Sequence, residues 1–185
     1  MRTIPVSVAC LTFVAAAVGA AMQEAPAKSD AAAQRAWLRQ LAGEWTSTTK
    51  ASIGPDGAPI DVETAESARM VGDLWFVAEG RAEIGGRTMI TILTLGFDPK
   101  EDAFVGSWID TVQSNLWIYR GTLDAARKVL TLETTGPNFE DPTRTAAYRD
   151  AIELIDADRK VLTSSMRHDD GTWTELLRAS YRRRK

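Results

Sequence analysis

The chain has 185 residues, of which 44% are hydrophobic and 25% charged, with a net charge of −3. That length suits one domain with a substantial core rather than two. A mildly acidic balance argues against a general nucleic-acid binder. The only cysteine is Cys10, so no internal disulfide can form and stability has to come from packing.

The first twenty residues stand apart. Arg2 precedes the apolar run "VSVACLTFVAAAVGAA", and Val18-Gly19-Ala20 fits a small-x-small cleavage site. Polar "MQEAPAKSD" follows with no stop-transfer pattern. Residues 1–20 are therefore expected to be a secretory signal, cut on export to the periplasm or the exterior, leaving no stable membrane insertion. Ser7 stands where a lipoprotein site needs an aliphatic residue, and Cys10 lies in the middle of the run rather than after it. Cys10 is expected to leave with the signal. Arg2 is the one charge removed, which takes the net charge from −3 to −4.

Residues 21–28 read as an alanine-rich, flexible lead-in to a single domain over 29–185. Ser29 or Asp30 can cap a helix over residues 30–41, with Ala33, Trp37, Leu38 and Leu41 on one face. Gly43 is expected to end it. From there the period changes to alternation and stays there. Strands are predicted over 44–53, 60–70, 74–84, 87–97 and 103–112, then over 115–124, 128–135, 144–155, 159–167 and 172–183. Between them lie turn signals: "GPDGAP" at 54–59, Gly85-Gly86, "DPKED", "VQSN", "DAARK", "GPNFEDPTR", "DADRK" and "HDDG". Short connections and no crossover helix imply sequential antiparallel neighbours. About ten long strands in that order are expected to curl into an all-β, up-and-down barrel behind a short N-terminal helix, with a sandwich as the competing architecture.

Several short pieces carry a family resemblance. Gly43-x-Trp45 after a short helix resembles the start of the first strand in lipocalins and their calycin relatives. "LAGEW" (41–45), "LGFDP" (95–99), "FVGSWID" (104–110), "GTLD" (121–124) and "YRR" (181–183) resemble, in this order, a bacterial family of unknown function, number 1579 of its kind. The resemblance implies a calycin-like barrel in which Trp45 plugs one end and an arginine of the last strand lies across it. Arg183 is the partner it suggests, with Arg182 second. It implies no activity.

Candidate ligand contacts come from strand parity. Phe104, Trp108 and Asp110 share one face, an acid beside aromatics in the manner of a small-molecule site. Trp117 and Tyr119 share a face of the next strand, and Tyr148 heads a stripe with Ile152 and Leu154. An Asp110 that is inside and unpaired would have a raised pKa. Glu79 shares a face with Trp75 and Val77, so either those side chains are outside or Glu79 is a buried acid. His168 is the single histidine. It abuts "DDG", which puts it at a hairpin tip, so no cofactor or metal is expected, and haem through His168 stays a minor alternative. No nucleophile elbow and no glycine-rich phosphate loop is present.

The expectation is an exported barrel binding a small apolar or amphipathic molecule. A hydrolase or isomerase working through a buried carboxylate, and an interaction module with a filled core, are the two alternatives. The sequence is silent on oligomeric state.

Overall fold

In the computed structural model, residues 28–52 and 60–185 are described. The expected signal, Cys10, nearly all of the lead-in and the loop at 54–59 lie outside the described residues.

Asp30 caps the helix α1 (Ala31–Leu41), its carboxylate accepting the Ala32 N–H at 2.9 Å. Ten strands follow: β1 (Gly43–Ala51), β2 (Ile60–Val71), β3 (Trp75–Ile84), β4 (Arg87–Asp98) and β5 (Ala103–Asp110), then β6 (Trp117–Leu123), β7 (Val129–Pro137), β8 (Thr145–Asp156), β9 (Arg159–Arg167) and β10 (Trp173–Arg183). Every strand lies within two residues of its expected bounds. Each pairs antiparallel with its sequence neighbour, and β1 pairs with β10 to complete a closed barrel. Closure leaves no strand with an unpaired edge among the ten.

The helix caps one end. Trp37, Leu38 and Leu41 are fully buried beneath it, and Trp37 meets Phe104 edge-on at 6.2 Å. The Trp37 indole N–H donates to the Arg127 carbonyl in the β6–β7 turn at 3.0 Å, which ties the helix to the barrel rim. Trp45 sits under the same cap. Its indole N–H donates to the Leu41 carbonyl at 2.9 Å, satisfying one carbonyl at the helix end.

Arg183 is the arginine that covers Trp45. Its guanidinium carbon lies 4.1 Å from the indole centroid. Its nitrogens donate to the carbonyls of Ala42 at 2.6 Å, Gln40 at 3.0 Å and Ala157 at 2.8 Å. Arg182, the second choice, is exposed. The helix ends at Leu41 with Ala42 as its C-cap, so Gly43 follows directly on the cap as expected, and it has a second role as well. Gly43 has φ +132°, and a Cβ there would come within 2.1 Å of Arg183 Nη1. The glycine makes room for the arginine.

Outward faces account for the ambiguous aromatics. Trp75 is half-exposed and lies over Gly96 from outside, so Val77 and Glu79 also face out, and Glu79 pairs with Arg81 at 2.7 Å. Trp173 is outside as well, with the Arg149 guanidinium 4.3 Å from its ring centroid.

Candidate functional site

Trp45, Phe76, Leu95, Phe97 and Phe104 fill the capped end of the barrel. Toward the other end several inward positions hold small side chains that leave space between the walls: Ala51, Thr64, Ala78, Thr91 and Ala179. The result is a cavity of about 550 Å³ that opens at the uncapped end. Ile60, Ile84, Val112 and Phe139 line its mouth while remaining exposed. A β-bulge between Glu175 and Leu177 in β10 lets both Leu176 and Leu177 reach the lining.

Of the residues singled out from sequence, Trp108, Asp110, Trp117, Tyr119 and Tyr148 line this cavity. Phe104 does not. It shares their inward face but sits deeper, against Trp37 and against Phe97, whose ring centroid is 5.3 Å away. Asp110 lies near the mouth and is not unpaired: one carboxylate oxygen accepts the N–H groups of Val112 at 2.5 Å and Gln113 at 2.7 Å.

Three polar features escaped the sequence reading. The first is Asp150, in the inward stripe of β8 between Tyr148 and Ile152. The Tyr119 hydroxyl donates to its Oδ2 at 2.5 Å across the intervening strand β7, and Ser164 of β9 lines the same cavity. Burial raises the Asp150 carboxyl above the usual aspartate range, an effect partly offset by the neighbouring Ser164 and Tyr119 hydroxyls. Burial likewise raises the Tyr119 hydroxyl, and the adjoining Asp150 raises it further. Both groups thus favour their uncharged forms.

The second feature is an ion pair at the cavity floor. Lys160, only 6% exposed, donates to Glu66 at 2.6 Å. Its ammonium lies 4.6 Å from the ring centroids of both Trp45 and Tyr181. Burial lowers the Lys160 pKa, while Glu66 acts in the opposite sense. Glu66 and Tyr181 border the main cavity, whereas Lys160 faces only a small void beneath it, of about 10 Å³.

The third feature is a set of polar atoms with no partner in the protein. Trp117 Nε1, Thr134 Oγ1 and Asp150 Oδ1 are all buried and belong to residues lining the cavity. Strand parity could have found Asp150 and Thr134, since both alternate in register with Tyr148 and Leu132. Tyr148 itself is fixed by donating to the Pro137 carbonyl, and burial pushes its pKa up to about 12.

His168 lies in the β9–β10 turn. Its Nε2 is 2.8 Å from Thr174 Oγ1 and its Nδ1 is 3.5 Å from Glu140, and it is not among the cavity-lining residues. His168 therefore stands outside this cavity. Among the described residues, no three His, Cys, Asp or Glu side chains converge in a metal-holding group.

Solved structures of similar architecture include the S-type phycobiliprotein lyase CPES from Guillardia theta. It is 11% identical with a TM-score of 0.56, over 82% of this chain and 93% of that one. Rv2717c from M. tuberculosis is 18% identical with a TM-score of 0.57, over 84% of this chain and 99% of that one. At these identities the likeness is one of fold. No curated protein sequence matches the chain. The family model described as "Protein of unknown function (DUF1579)" matches residues 30–183, the helix and all ten strands, and the chain belongs to that family.

Proposed function

We propose that this protein is exported and that its barrel holds one small apolar or amphipathic molecule. The observation that carries the reading is the cavity of about 550 Å³, mostly apolar in its lining and open at one end. Small-molecule sites commonly measure about 300–1,000 Å³ and combine an apolar lining with a few placed polar groups. A core of this kind is not filled, which disfavours a purely interactive module. The half-exposed apolar rim at Ile60, Ile84 and Phe139 gives an apolar ligand a continuous path inward.

Diphenylhexatriene, a hydrocarbon that fluoresces only out of water, tests the cavity directly. Its emission is expected to rise on adding the protein and to saturate near one probe per barrel. No rise, together with an unliganded mass for protein purified from its export compartment, would sink the reading. Export has its own check, because the intact mass of the secreted protein is expected to lack about the first twenty residues. A chain retained in the cytoplasm with its N-terminus intact would refute it.

A further inference from the structure

We propose that the wall formed by β6, β7 and β8 is the head-group site for an uncharged amphiphile bearing a hydroxyl or carbonyl group, and that it rejects the corresponding carboxylate. The inference rests on the cavity being a binding site, as proposed above.

Two observations carry it independently. The first is where the unpartnered polar atoms lie. Thr134 stands directly opposite Tyr148 in the β7–β8 register, and Asp150 is two residues further along the same inward stripe. Diagonal cross-strand neighbours of this kind are about 7–8 Å apart. Trp117 packs edge-on against Tyr148 at 4.9 Å from the β6 side. This wall therefore holds an indole N–H, a threonine hydroxyl and a carboxyl oxygen that are buried and unpartnered within the protein, and a hydroxyl or carbonyl seated against it would supply the partner they lack. Together they offer at least one donor and one acceptor to a neutral polar group. The apolar remainder of such a molecule would lie along Leu132 and Ile152.

The second observation is the charge of the lining. Among the described residues, no lysine, arginine or histidine lines the cavity, while Glu66, Asp110 and Asp150 do. A carboxylate would give up its hydration with no cation in the lining to meet it, an arrangement that rejects anions. A cation gains little, because each acid is already compensated. Glu66 is bonded to Lys160, Asp110 to two backbone N–H groups, and Asp150 to Tyr119. Burial also drives the Asp150 carboxyl toward its neutral form. An uncharged head group is what remains.

Displacement of bound diphenylhexatriene by decanol, decanoate and decylamine at neutral pH reads the selectivity. Decanol is expected to compete at least about tenfold more tightly than either charged analogue. Equal or tighter competition by decanoate or decylamine overturns this proposal and leaves the binding reading standing. Absence of any probe uptake overturns both. Thr134→Val, close in shape to the native residue, is expected to weaken decanol by about threefold to tenfold relative to the hydrocarbon probe measured in the same variant. Decanol affinity untouched in both Thr134→Val and Trp117→Phe would show that the polar wall does not hold the head group.

Discussion

At the scale of single residues, Trp45 is the anchor of the capped end. It is fully buried, bonded to the helix end and approached by the cations of both Lys160 and Arg183. Trp45→Ala is expected to destabilise by about 3–5 kcal/mol in chemical denaturation. A near-neutral effect would mean that the cap is held by the helix alone. This residue was legible in the sequence because a family resemblance singled it out. Lys160 and Asp150 were not. A charged residue next to a turn, in "DRK", reads as solvated, and Asp150 is flanked by Arg149 and Ala151 in a strand whose opposite face is charged. Parity places both inside, yet composition argues against it, since buried charges are rare unless paired. Asp150 also carries a pH signature. Its folded pKa lies above its unfolded value, so over the interval between them the native state retains a proton that the unfolded chain has lost. Rising pH therefore favours unfolding across that window, starting near the ordinary aspartate value. Urea midpoints of the wild type are expected to fall as pH climbs from the ordinary aspartate range, and those of Asp150→Asn to lack that component. Parallel curves for the two would sink the assignment.

At the scale of elements, the alternating period and the short turns made all ten strands readable, because each boundary has its own chemistry. Gly85-Gly86 has both residues at positive φ, and Asp98 accepts the Lys100 N–H at 2.8 Å. Alternation says which way a side chain points and nothing about its height in the barrel. That is why Phe104 and Trp108, on one face of β5, end in different places: one in the packed cap, the other in the cavity wall. The helix was legible as an amphipathic stripe, but its function as a lid was not, because the site it covers is built from strands up to 143 residues away in sequence. The seam between β1 and β10 offers a test of how the lid is secured. Gly43→Ala and Arg183→Ala should each cost about 1–3 kcal/mol, the first by displacing the guanidinium and the second by deleting its bonds to three carbonyls. The double variant is expected to be destabilised by clearly less than the sum. Full additivity in a denaturation cycle would mean that the glycine serves only its own backbone angle.

At the scale of the whole molecule, the barrel has two unlike ends. One is dry and packed, with the helix, Trp45 and a buried ion pair. The other is an open mouth with an apolar rim, and between them lies a wall of unused polar atoms. The architecture was legible as a closed ring of strands. The cavity was not, because its size depends on which small residues on ten strands fall at the same height, a coincidence that no single stretch of sequence displays.

The pairing of β1 with β10 also sets an order in time. In synthesis β1 is among the first parts of the domain to be made, and its second neighbour is the last of the ten strands. Until that strand arrives, β1 and β9 each have one bare edge, Trp45 lacks the guanidinium that covers it, and the carbonyls of Gln40 and Ala42 lack their donor. The chain can form hairpins as it emerges, but the ring itself can lock only once, at the end. A protein built this way stays threadable through most of its synthesis, and closes its ring of strands in a single late step.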